Sequence, residues 1–165
     1  MIIKQLIDEN FTNYKKPSLF IGFPRCSWKC DKECGMQVCQ NGALATAPDI
    51  VVNLDNLIKR YLQNRITTSL LCGGLEPFDS WEDLKNLIIC FREKTDDDIV
   101  IYTGYLESEI SEQISWLKQY KNIIVKFGRF IPNQNKHYDE VLGINLASDN
   151  QYARRIDNEY KSKSR

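Results

Sequence analysis

Residues 69–105 read SLLCGGLEPFDSWEDLKNLIICFREKTDDDIVIYTGY, and the change of hydrophobic period along them decides the fold. Ser69–Cys72 is a short apolar run stopped by Gly73 and Gly74, the form of a buried strand. Across Ser80–Arg92, the residues Trp81, Leu84, Leu87, Ile88 and Phe91 recur at helical spacing, with Asp79 or Ser80 as N-cap. Ile99–Thr103 is apolar again and stops at Gly104. Strand, helix and strand at this spacing form a βαβ unit, which yields a parallel pair.

The same alternation continues in both directions. Ser18–Phe23 (SLFIGF) reads as a strand. Leu54–Gln63 reads as a helix, with Leu54, Leu57, Ile58, Tyr61 and Leu62 at helical spacing and Asn53 as N-cap. Glu107–Gln119 is a further helix with Ile110, Ile114 and Leu117 facing inward. Ile123–Phe127 is a strand ending at Gly128, and Val141–Leu146 is the last strand. A closed eight-unit barrel needs about 250 residues, and this chain has 165. The fold expected is therefore α/β: an open, incomplete (β/α) barrel of about five parallel strands, mostly parallel in its sheet, in a single domain over 1–165.

Right-handed crossovers put the C-terminal ends of all strands on one side. Every unusual segment falls there: FPRCSWKC, CGGLEP, TGY, FGRF and ASDNQ each follow a strand. Parallel sheets bind ligands at that end.

Composition narrows the setting. Lys plus Arg and Asp plus Glu both number 22, so net charge gives no case for nucleic acid as main partner. The basic residues Arg154, Arg155, Lys161, Lys163 and Arg165 read as a solvated tail. No run approaches the ~20 apolar residues of a membrane span, and MIIKQLIDENF lacks the features of a signal peptide. The expected location is cytoplasmic, where the six cysteines stay reduced.

Four cysteines crowd into PRCSWKCDKECGMQVCQNG, residues 24–42: Cys26, Cys30, Cys34 and Cys39. Thiolates on a short loop converge on zinc or on an iron–sulfur cluster, and the spacing alone fits both. A structural zinc loop has no need of the strand-end motifs downstream, which favours the cluster. The lone His137 offers no histidine-rich site and reads as surface or loop. Cys72 and Cys90 read as buried small apolar residues, and Trp81 and Trp116 as core. Trp28 either shields the metal or packs, and the sequence leaves both open.

Cys26-xxx-Cys30 followed by Cys39-Gln40-Asn41 resembles the signature of the radical SAM superfamily. In that family a third cysteine follows the second after two residues, where this chain has Glu33. The third ligand is then Cys34, one residue late, or Cys39. The family has an apolar residue before the third cysteine, packed near the adenine, and Val38 before Cys39 matches this while Glu33 before Cys34 does not. The resemblance thus favours Cys26, Cys30 and Cys39, with Val38 at the adenine and 31–38 as an insertion. Gly73-Gly74-Leu75-Glu76 resembles the family's Gly-Gly-Glu motif with one residue inserted; it implies backbone approach at Gly73 and Gly74 and Glu76 toward the ligand's amine. Thr103 in TGY and Asn150 in SDNQ resemble, in order and placement, the activating proteins of anaerobic ribonucleoside-triphosphate reductases, over Phe20–Ile156. Lys126 and Arg129 stand where that family has an acid, and are assigned to the ligand's carboxylate or to the partner protein.

The resemblance implies a [4Fe–4S] cluster with one open iron, chelated by S-adenosylmethionine. Flavodoxin or ferredoxin supplies an electron, and a 5′-deoxyadenosyl radical forms. It takes hydrogen from a glycine of an anaerobic ribonucleotide reductase. No catalytic side chain is assigned, since the cofactors carry the chemistry. The alternatives are radical SAM chemistry on another partner or small molecule, and a non-enzymatic iron–sulfur or zinc protein.

Overall fold

The computed structural model of the chain describes residues 1–156. Two short N-terminal strands, β1 (Ile2–Ile3) and β2 (Gln5–Asn10), lead into β3 (Ser18–Phe23). The cysteine segment carries two small helices, α1 (Lys29–Cys34) and α2 (Gly42–Thr46), before β4 (Ile50–Val51) and α3 (Leu54–Gln63). Then come β5 (Ser69–Gly74), α4 (Trp81–Arg92), β6 (Asp98–Tyr102), α5 (Ser111–Leu117) and β7 (Ile123–Phe127). The strands β8 (His137–Asp139), β9 (Ile144–Leu146) and β10 (Tyr152–Arg155) complete the described elements.

The main sheet has six strands in the order β10-β7-β6-β5-β3-β2. Its four central strands are parallel, as the βαβ reading requires. Both edge strands are antiparallel to their neighbours. The expected fifth parallel strand, Val141–Leu146, is not part of this sheet. It shortens to β9 and pairs antiparallel with β8 in a separate hairpin. Two features end it early: Gly143 turns the chain at φ 72°, and the Asp139 carboxylate accepts the Leu142 N–H at 2.9 Å. ASDNQ therefore joins this hairpin to the edge strand β10.

Side chains on the central strands alternate between two apolar layers. Leu70, Cys72, Ile99, Ile101, Ile123, Val125 and Phe127 face α3, α4 and α5. Leu71, Val100 and Ile124 face Tyr14, Leu142 and Leu146 on the other side. This explains why the strands read as continuous apolar runs: both faces are covered. α4 buries Leu84, Leu87, Ile88 and Phe91 completely. Burying each such side chain contributes about 1.5–3 kcal/mol. The Asn53 side chain caps α3 through the Asn56 N–H at 3.1 Å. Neither Asp79 nor Ser80 caps α4; the helix is entered through a 3₁₀ turn, Pro77–Ser80, which the Glu76 side chain caps. A second 3₁₀ turn, Glu107–Ile110, likewise replaces the start of the helix expected from Glu107. Trp81 and Trp116 meet edge to face against the core, and Cys72 is buried while Cys90 is half-buried. His137 lies in β8, half-buried, rather than in a loop.

At the opposite end of the strands from the cysteines, buried Asp98 accepts from Tyr14 at 2.8 Å, Lys16 at 2.5 Å and Arg155 at 3.0 Å. Burial alone would raise its carboxyl, but these partners hold it below the usual carboxylate range. Arg154 and Arg155 are thus parts of an edge strand, paired with Glu107 and Asp98, and not a solvated tail. Lys161, Lys163 and Arg165 lie outside the described residues.

Beyond any ligand's approach, the sheet itself demands glycine at 74. Its φ is 87°, and a Cβ there would stand 2.6 Å from Gly22 Cα and 2.8 Å from the Phe23 nitrogen. Gly74→Ala is expected to cost about 2 kcal/mol and lower Tm by about 4–8 °C, measured by thermal denaturation of the apoprotein.

Candidate metal centre

The chain leaves β3 at Phe23 and β5 at Gly74, two residues paired across the sheet. The cysteine segment and the Gly-Gly-Leu-Glu turn therefore start side by side. Backbone bonds keep them together: the Glu76 N–H donates to Arg25 O at 2.7 Å, and the Leu75 N–H to Phe23 O at 3.3 Å. Asp79 then holds the cysteine segment, accepting from the Ser27 N–H at 2.5 Å and the Tyr105 hydroxyl at 2.6 Å.

A cavity of about 320 Å³ opens at these strand ends. Cys26, Cys30 and Cys39 line it; Cys34 does not. Cys34 follows Cys30 by one turn of α1, at the helix C-terminus. Gly73, Gly74, Glu76, Thr103 and Lys126 line the same cavity. Gly104 touches both sides of the site: a Cβ there would meet Cys30 Sγ at 3.5 Å and Glu76 Oε2 at 3.7 Å. Two assigned residues lie elsewhere. Val38 is half-buried beside Cys39, its N–H on Asp31. Asn150 packs on Gly128 and donates to Arg129 O at 2.8 Å, leaving its Oδ1 buried with no partner among the described residues. From SDNQ it is Gln151 that reaches the cavity wall. Among the described residues, no three Cys, His, Asp or Glu side chains gather closely enough for a single metal ion. The thiols stand around a cavity instead, and a cubane cluster takes one thiolate per iron.

The model of the 4Fe–4S single cluster domain family matches residues 17–152, from β3 to the start of β10. The chain belongs to this family. No curated protein and no solved structure matches the chain. In this 4Fe–4S domain the zinc alternative gives way, and the donor set fits the cluster: three thiols on one cavity, with N–H donors and cations close by.

The electrostatics of the domain's site are unusual. Burial pushes the Cys26 thiol up to about 11, and nearby Glu76 and Asp79 reinforce this. Burial also raises Cys30, while the Phe130 N–H, Lys126 and Arg129 pull it back. Cys26 and Cys30 therefore hold their protons in the apoprotein, and metal binding displaces them. Lys126 is 7% exposed, donates to Gly128 O at 2.9 Å, and pairs with no carboxylate among the described residues. Burial lowers it to about 8, against the pull of Cys30 and Glu76.

Arg129 does not serve the cavity in the way expected of it. Its guanidinium is buried, bonded to Glu109 at 2.6 and 2.8 Å, and stands 3.1 Å from Glu33 Oε1. Lys29 joins the same Glu109 at 3.0 Å and lies over the Tyr105 ring. These contacts clamp α1 against the ends of β6 and β7. Glu33, the acid standing where the motif has cysteine, thus faces a cation and not the cavity. Sequence reading missed Glu109, Tyr105 and Asp79, because partners tens of residues apart leave no local signal.

Glu76 is the most constrained group. Its Oε1 accepts from the Phe78 N–H at 3.1 Å and the Thr103 hydroxyl at 2.9 Å; its Oε2 accepts from the Gly104 N–H at 2.9 Å. Burial nonetheless pushes its carboxyl up to about 7. From about pH 5 to 7 the folded apoprotein keeps a proton that the unfolded chain has released, so its stability falls as pH rises. Thermal melts at about pH 5 and pH 7.5 are expected to show this fall, and Glu76→Gln is expected to flatten it.

Proposed function

We propose that the chain is a radical SAM activating enzyme that cleaves S-adenosylmethionine reductively and generates a glycyl radical on an anaerobic ribonucleotide reductase. The observation that carries this reading is one cavity shared by Cys26, Cys30, Cys39, the glycine backbone of 73–74, Glu76 and Lys126. A 4Fe–4S single cluster domain, a family found in radical SAM activating proteins, supports it. Cys26, Cys30 and Cys39 hold the cluster and leave one iron free. When bound, the cluster and S-adenosylmethionine supply the one-electron chemistry that opens the sulfonium and takes hydrogen from glycine.

The chain's own residues bind and orient. Lys126 meets the ligand's carboxylate, since among the described residues its buried ammonium has no carboxylate in direct contact. Glu76 receives the α-amino group through Oε2, while Phe78, Thr103 and Gly104 keep its carboxylate from turning. Gly73 and Gly74 offer backbone at close range. Val38 acts through Cys39, and Asn150 through Gly128. A cavity of about 320 Å³ is at the small end of the ~300–1,000 Å³ range of ligand pockets. It suits one small ligand, so the glycine arrives on a flexible segment of the partner. A flavodoxin or ferredoxin-type protein supplies electrons.

Anaerobic reconstitution tests the ligand set. Cys26→Ala, Cys30→Ala and Cys39→Ala are expected to lose the cluster by iron and sulfide counts, and Cys34→Ala to keep it. The reduced protein with S-adenosylmethionine and the reductase is expected to yield methionine and 5′-deoxyadenosine, with a glycine-centred doublet by electron paramagnetic resonance. Deoxyadenosine without the doublet would show the wrong partner; no deoxyadenosine from an intact, reduced cluster would overturn the radical reading.

A further inference from the structure

The segment between Cys30 and Cys39 has its own architecture, and it hangs on one carboxylate. α1 ends at Gly35, where φ of 66° reverses the chain. Residues 36–39 then run back along α1. Asp31 Oδ1 accepts the N–H of Val38 and the N–H of Cys39, each at 2.8 Å. These two bonds tie residues 38 and 39 back to the first turn of α1. The apolar packing there is slight: α1 buries no residue, and Met36 is 62% exposed. Yet Cys39 reaches the cavity wall beside Cys26 and Cys30, whereas Cys34, nearer in sequence, does not.

We propose that Asp31 selects Cys39 over Cys34 as the third cluster ligand. The inference rests on the ligand set proposed above and adds the device that sets it. Two peptide N–H groups on one ionised oxygen form charge-assisted bonds, short and directional. They close a loop of seven and eight residues and bring the Cys39 thiol back to the level of Cys30. Without the carboxylate, Val38 and Cys39 lose the two N–H bonds that tie them to α1. Cys34 keeps its place on α1, one turn from Cys30 on the same helix face, and becomes the nearer thiol. Asp31 contacts no substrate; it is a positioning residue.

Hydrogen exchange of the apoprotein reads the device directly. The Val38 and Cys39 amides are expected to exchange at least ~10-fold faster in Asp31→Ala than in wild type, with Tm within about 2 °C because no residue of α1 is fully buried. Asp31→Asn, whose carboxamide oxygen still accepts both bonds, is expected to retain most of the protection. After anaerobic reconstitution, Asp31→Ala is expected to bind less than about half the iron of wild type, and Asp31→Asn to recover most of it. Cluster that remains in Asp31→Ala is expected to depend on Cys34, so the Asp31→Ala/Cys34→Ala double variant binds none, while Cys34→Ala alone stays loaded. Full iron in the double variant, or unchanged exchange in Asp31→Ala, overturns the selection by Asp31. A loaded Cys39→Ala with Asp31 intact overturns the ligand set itself, and the inference falls with it.

Discussion

Six residues of parallel pairing between β3 and β5, from Ser18 against Ser69 to Phe23 against Gly74, hold the site together. Everything else about the centre follows from where those two strands let go of the chain. One exit carries the cysteines and the other carries Glu76. Glycine at 22 and 74 allows the backbones to meet where a side chain would collide. Register matters here more than strand length: a one-residue slip would swap every side chain between the two apolar layers.

On that frame the site sets a buried acid and a buried base around the thiols of Cys26, Cys30 and Cys39. Glu76 and Lys126 both bear the cost of burial, in opposite directions, and among the described residues neither is neutralised by a direct ion pair. Such an arrangement is poor structural design and good ligand design. The ion pairs that do form, among Arg129, Glu109, Glu33 and Lys29, stand behind the loop and hold its place.

The central strands and helices were legible because period is a local property: IIVKF, DIVIY and SLLCGG announce themselves. The edges were not. β2 alternates poorly, with Gln5, Asp8 and Glu9 on a half-exposed strand, and β10 reads as a basic tail until Asp98 and Glu107 are found opposite it. The apolar residues of 141–146 suggested a fifth parallel strand, but Leu142 and Leu146 are apolar because they cover the sheet's second face. At the site, Cys26, Cys30, Cys39, Glu76, Thr103 and Lys126 were named from motif and position, and all six line one cavity. Asp31, Asp79 and Glu109 were invisible. Each works through a bond to a partner that only the folded chain brings near.

The Asp98 cluster lies at the far end of the strands from the cysteines and is closed on itself, with Tyr14, Lys16 and Arg155. A chain anchored at one end is free to vary at the other. Loops on the open side can lengthen without disturbing the contacts that make the sheet cohere. The fold thus separates the end that secures the sheet from the end that carries the chemistry, and the cysteine loop belongs to the second.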